Sequence, residues 1–248
     1  ILSCIFAMRF LFGKKVPVKI TFGQYDTKIM NRILSLGFSP FLILATDSLI
    51  LILLNTILQK YGGKSQGDMF ITCATIAQSY LLLITSSMIG ISGGTQAILS
   101  YNYGARRADR VKDAERNILG VMLIFTIIMF LLSRLVPRYF VLLFTSDPQY
   151  ISFSVWAIHT YTLMIIPLSF QYVFVDGLTA LDRPKTGLAL SVTRKSLFVL
   201  SAAILPVFFD AKAAFFAEPV ADGVCSVLST VVFLLLINRH LQKRCQTV

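Results

Sequence analysis

Long apolar segments separated by short polar connections dominate the chain. Each segment exceeds the roughly 20 residues that an α-helix needs to cross the hydrocarbon core of a bilayer. Because backbone polar groups at that depth must be satisfied within the segment, the pattern predicts helices rather than strands. The predicted spans cover residues 33–58, 69–100, 117–143, 150–180, 186–209 and 214–238. The predicted fold is therefore an all-α membrane protein with a six-transmembrane-helix bundle.

The polar connections predict how this bundle is oriented. Most of the 23 Lys and Arg residues lie before the first span, between the second and third, between the fourth and fifth, or after the sixth. Since cytoplasmic loops carry an excess of Lys and Arg, both ends of the bundle and the loop 102–116 are predicted to be cytoplasmic. With six spans, an even number, the two ends of the bundle lie on the same side of the membrane, as these assignments require.

The first residues of the chain predict a larger protein. Residues 1–13 begin with Ile rather than Met and are typical of the end of a preceding transmembrane helix. They lack the small-residue cleavage site of a signal peptide. Residues 14–32 are polar enough for a cytoplasmic linker, which leaves residues 33–245 for the six-helix bundle. We therefore expect the chain to start inside a longer protein.

Composition and charge narrow the class of protein. Hydrophobic residues make up 56% of the chain and charged residues 14%, a balance that cannot cover a water-exposed surface. The net charge of +11 could indicate nucleic-acid binding, but the basic residues cluster in short loops without interleaved aromatic residues. The four cysteines share no CxxC spacing, so neither a metal site nor a disulfide framework is predicted. The predicted partner is the lipid bilayer, with no nucleic acid.

A turn predicted to be cytoplasmic carries the pattern of a known family. Residues 93–107 read GGTQAILSYNYGARR, and a basic loop continues to residue 112. This run resembles the multidrug-and-toxin-extrusion (MATE) family, in which a Gln-rich helix end leads into a YNYGA turn. Three further stretches agree with the family in order and spacing: LFTSD at 143–147, DRPK at 182–185 followed by Arg194, and PVAD at 219–222.

The resemblance implies the architecture of a transporter. The six spans would be helices seven to twelve of a twelve-helix protein of the MOP superfamily, and the missing partner would be its amino-terminal six-helix half. Such proteins resemble two bundles related by a pseudo-two-fold axis, which gate alternately around a central site. No cofactor is expected apart from a coupling ion, and the predicted location is the plasma membrane.

Acidic residues within the spans are the candidate binding residues. A charged side chain at the bilayer centre costs about 2.5–3.5 kcal/mol on insertion scales, so one that is kept there indicates function. Asp47 lies about 21 Å along the first span, close to where MATE-type exporters carry an acidic site, which makes it a candidate Na⁺ ligand. Asp176 and Asp222 lie within the fourth and sixth spans, whereas Glu218 is expected to be solvated at the outer interface. The structural alternative for each acid is a carboxyl group that is paired between helices or protonated.

Arg194 lies within the fifth span and is predicted to pair with Asp176 or Asp222. Such an ion pair would break when the acid is protonated, which would convert proton binding into a change of helix packing. Three polar side chains are predicted to line the binding cavity, although Tyr is also the usual anchor at membrane interfaces. These residues are Gln96, Tyr101 and Gln171.

The predicted function is antiport, in which a Na⁺ or H⁺ gradient drives the export of small amphipathic, often cationic compounds. The alternative is a flippase of the same superfamily for a lipid-linked saccharide or a similar anionic lipid, whose cavity should be basic. An enzyme is not predicted, because the sequence has no cluster of nucleophile, base or metal ligands. The buried acids favour a cation as the substrate.

Overall fold

In the computed structural model, helices account for almost all of the chain that can be described. The structure describes Arg9 and residues 26–245, except the side chains of 28, 32–33, 35–45, 47, 64–65 and 238–245. Over these residues we find helices and turns and no strand, which confirms the all-α prediction. The elements are α1 (Thr27–Gly104), α2 (Ala108–Leu135), α3 (Pro137–Val141), α4 (Pro148–Tyr161), α5 (Ile165–Ala180), α6 (Pro184–Phe208), a 3₁₀ turn (Ala211–Phe216) and α7 (Ala217–Cys245).

Gly63 interrupts α1 between the first two predicted spans. Its φ of 65° lies in the left-handed region that residues with a side chain rarely adopt. The turn is also tight, because a Cβ on Gly62 would lie 2.8 Å from the Cα of Gly67. The chain separates into two compact units, residues 1–49 and residues 50–248, and the contacts discussed below lie within the second.

Several elements of the described part of the chain are long and apolar enough to cross a membrane. Four single helices qualify: Gln66–Gly104, Ala108–Leu135, Pro184–Phe208 and Ala211–Ile237. The pair α4 and α5, bent by 47°, adds a fifth span if the two helices are counted together. The protein is therefore a multi-pass membrane protein. The first predicted span, 33–58, lies in the helical trace of α1, and many of its side chains are outside the described set.

Two of the predicted spans are not single helices. The segment 150–180 was expected to be unbroken, but α4 ends at Tyr161 and α5 begins at Ile165. Pro167 lies in the first turn of α5, where its missing N–H costs no helical hydrogen bond, whereas a continuous helix would require that N–H. The segment 117–143 is likewise divided at Pro137, the first residue of α3. A proline near each break explains why the predicted span is divided into two helices.

Helix α2 has an apolar face turned outward and a partly polar face turned inward. Val121, Ile124, Ile128, Leu131 and Leu135 recur at helical spacing, and each is more than half exposed in the isolated chain. The opposite face buries Glu115, Ile118, Met122, Thr126 and Ser133. An outward apolar stripe is the arrangement expected of a helix that faces lipid, because lipid solvates apolar side chains and polar groups then face the protein.

Helix α5 lies at the centre of the second unit. It packs against α7, α2 and α6, while α6 and α7 also pack against each other. Small residues allow the close approach at several of these contacts: Ser169, Gly177, Ala202, Ala221 and Ser229. Two polar side chains on α5, Ser169 and Gln171, are consequently buried against other helices.

We expect Asp147→Ala to lower the free energy of unfolding by about 1 kcal/mol, because Asp147 caps α4. Its Oδ1 accepts a hydrogen bond from the backbone N–H of Gln149 at 2.8 Å, and Pro148 occupies the first position of the helix. Asp210→Ala is the matched control, since Asp210 precedes the 3₁₀ turn without a side-chain capping bond. Thermal unfolding in detergent should separate the two variants, and equal losses would contradict the assignment.

Candidate functional site

Arg194 forms an ion-pair cluster with two acids where α6 meets α7. Its Nη1 lies 2.6 Å from Oδ1 of Asp222 and 3.3 Å from Oε1 of Glu218. The side chain of Asp222 has no exposed surface, and that of Glu218 is 16% exposed. Of the two partners predicted for Arg194, the structure selects Asp222. The expectation that Glu218 is a solvated interfacial residue is wrong, because Glu218 belongs to this buried cluster.

Local sequence places both acids on the same side of α7. Glu218 and Asp222 are four residues apart, so they lie one above the other on the helix. Oδ2 of Asp222 is buried and has no hydrogen-bond partner among the described residues. A single guanidinium therefore faces two carboxyl groups, and one carboxylate oxygen stays unsatisfied. Removing or adding one proton would change the charge balance of the cluster.

Asp176 belongs to a second polar cluster, between α1 and α5. Its carboxyl group accepts a hydrogen bond from the Ser92 hydroxyl. Nε2 of Gln96 lies 3.4 Å from Oδ1 of Asp176 and 3.5 Å from its backbone oxygen. Gln96, a predicted cavity residue, is thus brought together with Asp176. Ser92 was not predicted, although it lies four residues before Gln96 on the same face of α1.

Glu115 is a buried acid that the sequence analysis missed. It lies on the inward face of α2 and is 6% exposed. Its carboxyl group lies against Gly177, the residue that follows Asp176 on α5. In the sequence Glu115 stands within a run of charges that is typical of a solvated loop. Its spacing from the apolar residues Ile118 and Met122 is the signal that could have revealed its inward position.

Tyr172 lies on α5 near the Asp176 cluster. It is one turn from Asp176 on α5 and interacts electrostatically with Asp176, Arg194, Asp222 and Glu218. The Ser92 hydroxyl also lies 3.3 Å from the backbone oxygen of Tyr172. The aromatic ring and the acids therefore occupy one polar region of the bundle.

The other predicted residues fall in different environments. Gln171 is 4% exposed, and its Oε1 has no hydrogen-bond partner among the described residues. Tyr101 is 71% exposed near the end of α1. The side chain of Asp47 lies outside the described residues, so its role as a Na⁺ or substrate ligand stays a prediction. Over the described residues, no three His, Cys, Asp or Glu side chains converge as metal ligands do.

A cavity of about 590 Å³ opens elsewhere, between the start of the second part of α1, the start of α4 and the 3₁₀ turn. It is lined by Gln66, Met69, Gln149, Ser152, Phe153, Trp156 and Lys212. Nζ of Lys212 lies 5.8 Å from the centre of the Phe153 ring. None of the predicted site residues with a described side chain lines this cavity.

Known proteins resemble this chain in both sequence and fold. The chain is 25% identical over 136 residues to a FAD transporter of Shewanella oneidensis, a match that covers 55% of this chain and 29% of that protein. The inward-facing structure of a multidrug resistance MATE family transporter of the MOP superfamily superposes with a TM-score of 0.82 at 17% identity. That match covers 100% of this chain and 57% of the other.

A second solved structure gives the same picture. The outward-facing conformation of a multidrug resistance MATE family transporter superposes with a TM-score of 0.79 at 17% identity, over 98% of this chain and 54% of the other. The chain thus spans a little over half the length of these solved transporters and has the fold of half of one. The sequence profile of the MatE family matches residues 44–205. Because that match covers well over half of the chain, this protein belongs to the MatE family.

Proposed function

We propose that the complete protein is a cation-coupled antiporter of the plasma membrane, which exports small amphipathic, often cationic compounds. The observation that carries the proposal is Asp222, which is fully buried among apolar helices and bonded to Arg194 at 2.6 Å. A buried ion pair is weak evidence for stability alone, because apolar residues of similar volume often stabilise a protein as well. In a transporter, such a pair can have a functional role, because its acids can bind a proton or a cation.

The Arg194 cluster is suited to couple ion binding to helix packing. Protonating Asp222 or Glu218 would weaken the attraction between α6 and α7, since each carboxyl group contacts the same guanidinium. Ion binding shifts the protein between inward-open and outward-open states if the ion binds one state more tightly than the other by a few kcal/mol. The cluster would then favour one state when protonated and the other when ionised.

Asp176 and its neighbours are the proposed contact for the organic cation. Gln96 and Ser92 hold the carboxyl group in place, and Tyr172 lies one turn away on α5. A carboxylate beside an aromatic ring favours an organic cation through charge and through the ring face. The coupling ion and the substrate would compete for this carboxylate, and competition of that kind is sufficient for exchange.

The proposed transport cycle needs a second six-helix bundle. The chain spans about half of the solved MATE structures, so a central site would have walls from an amino-terminal half as well. Alternating access would then arise from one bundle moving against the other around that site. We propose that both ends of this bundle and the turn at 105–107 face the cytoplasm, as the distribution of Lys and Arg favours.

A second candidate is transport of an anionic solute or lipid. Its support is the 25% identity over 136 residues to a protein named as a FAD transporter, and the flippase alternative is of the same kind. Such a substrate needs a net positive cavity. Arg194 is opposed by two carboxyl groups, and the buried Glu115 and the partly buried Asp176 add further acid, so these charges support a cationic substrate better.

Asp47→Asn in the complete protein tests the proposal. We expect wild-type vesicles to export a cationic dye when a Na⁺ or H⁺ gradient is imposed, and the ion that drives export identifies the coupling. The variant should lose most of this efflux, because an amide can neither bind a proton nor neutralise a cation. Asp68→Asn is the control, since Asp68 is exposed on α1. Undiminished gradient-driven efflux by Asp47→Asn would remove Asp47 from the mechanism, and wild-type vesicles without such efflux would refute antiport.

A further inference from the structure

The cavity at the start of α4 has the size and the walls of a small-molecule site. Its volume is about 590 Å³, and Met69, Phe153 and Trp156 form its apolar wall. Cavities that bind small molecules usually measure roughly 300–1,000 Å³, with apolar and aromatic side chains around a few polar groups. The cavity can therefore hold a compound the size of one or two rings.

The aromatic wall of the cavity is fixed by a ring cluster behind it. Phe215 is 1% exposed, and its ring centre lies 5.3 Å from that of Phe153 and 5.5 Å from that of Trp156. The rings of Phe153 and Trp156 are themselves 5.1 Å apart. Aromatic residues that anchor a protein at the membrane surface extend into the headgroup region, whereas these two are partly buried against Phe215. The wall is thus formed before any ligand binds.

The polar side of the cavity carries a positive charge. Among the described residues that line it, only Lys212 is charged. Its Nζ lies 5.8 Å from the centre of the Phe153 ring, and it forms no ion pair with a described acid. Gln66, Gln149 and Ser152 add neutral N–H and O–H donors. An ammonium group without a counter-charge, beside two amides and a hydroxyl, favours an anionic group.

The acids closest in sequence to the cavity do not line it. These are Asp68, Asp147 and Asp210, each of which is exposed. Oδ1 of Asp147 accepts the hydrogen bond from the backbone N–H of Gln149 and so caps α4. The charge inside the cavity is therefore set by the ammonium group and not by these carboxylates.

We propose that this cavity binds a small organic anion with an aromatic ring, such as an aryl carboxylate. The carboxylate accepts hydrogen bonds from the Lys212 ammonium, and the ring packs on Phe153 and Trp156 in an offset or edge-to-face arrangement. Gln66 lies about 57 Å along α1 from Gly104, so this site is at the opposite end of the helix from the turn 105–107. The site is independent of the proposed antiport, because binding requires no ion gradient.

Calorimetric titration of the purified complete protein with para-nitrobenzoate tests the charge. We expect saturable binding that Lys212→Gln weakens about tenfold, the usual effect of losing a hydrogen bond to a charged group. Lys212→Arg keeps the charge and should retain most of the affinity. Lys60→Gln is the matched control, since Nζ of Lys60 also lies near a ring, 5.5 Å from the centre of Tyr61, but outside the cavity. Equal affinity in the wild type and Lys212→Gln, or no saturable binding, overturns the proposal.

Two related compounds separate the charge of the ligand from its ring. Para-nitrobenzylamine has the same ring with a positive charge, and we expect it to bind about tenfold more weakly than para-nitrobenzoate. Cyclohexanecarboxylate keeps the negative charge without an aromatic ring and should bind about threefold more weakly. If the amine binds as tightly as para-nitrobenzoate, the site is not an anion site. If cyclohexanecarboxylate does, the aromatic wall plays no part in recognition.

Tryptophan fluorescence locates the bound compound. Trp156 is the one tryptophan of this chain, and a nitroaromatic ring in contact with it should quench its emission. We expect the quenching to follow the calorimetric titration and to disappear in Trp156→Phe, which keeps an aromatic wall and hence most of the binding. Quenching that persists unchanged in Trp156→Phe places the compound elsewhere and overturns the proposal. If para-nitrobenzoate binds as expected but the protein shows no gradient-driven efflux, antiport fails while this site stands.

Discussion

Arg194→Ala should abolish gradient-driven efflux and destabilise the protein by about 3–5 kcal/mol, the usual cost of removing one partner of a buried ion pair. Without the guanidinium, Asp222 has no exposed surface and no cation to balance it, and Glu218 loses the same partner. Any residual efflux of the variant should no longer depend on pH. Dye efflux in vesicles and thermal unfolding in detergent measure the two effects. Lys185→Ala, at an exposed position at the start of α6, is the control.

A triple variant separates stability from coupling. Arg194→Met combined with Asp222→Leu and Glu218→Gln removes all three charges of the cluster, and replacing a buried ion-pair cluster in this way is often neutral or stabilising. We expect the triple variant to unfold at a temperature near that of the wild type and still to show no coupled efflux. Retention of pH-dependent efflux in either variant would exclude the Arg194 cluster from coupling.

Asp176→Asn should reduce gradient-driven efflux by about 5- to 150-fold, the range that corresponds to typical coupling free energies. The amide oxygen of Asn can still accept the hydrogen bond from Ser92, so the fold should be little affected. The loss would therefore report the missing charge and the missing proton site. Asp113→Asn is the control, because Asp113 is exposed on α2. Efflux of Asp176→Asn within twofold of the control would contradict a role for Asp176 in substrate or ion binding.

The helices could be predicted because the bilayer restricts what a spanning segment can be. Apolar runs of sufficient length must be helical, and α6 and α7 begin within three residues of their predicted starts. Helix α2 begins nine residues before its predicted start, because the charged segment before residue 117 continues the helix. Breaks within a run are harder to predict. Proline is tolerated in transmembrane helices when neighbouring groups satisfy the freed carbonyl, so Pro167 alone does not distinguish a kink from the separation of α4 and α5.

The polar clusters were only partly predictable, because they depend on how the helices are rotated against one another. Arg194 could pair with either of two acids in the sequence, and the packing of α6 against α7 selects Asp222. Glu218 was predicted to be solvated because it stands next to an outer turn. In the structure, the 3₁₀ turn buries Phe215, so α7 starts within the protein and Glu218 faces Arg194.

By itself, the sequence determined the class of this protein: a multi-pass helical membrane protein of the MATE type, with acids retained inside its spans. These features follow from composition, periodicity and local motifs. Such signals do not depend on which distant residues come into contact when the chain folds. Only the tertiary structure decided that Arg194 joins Asp222 and Glu218, that Ser92 and Gln96 bond Asp176, and that Glu115 lies against Gly177. The physical reason is that a contact between helices depends on side-chain packing around each helix axis, and residues far apart in the chain decide that packing together.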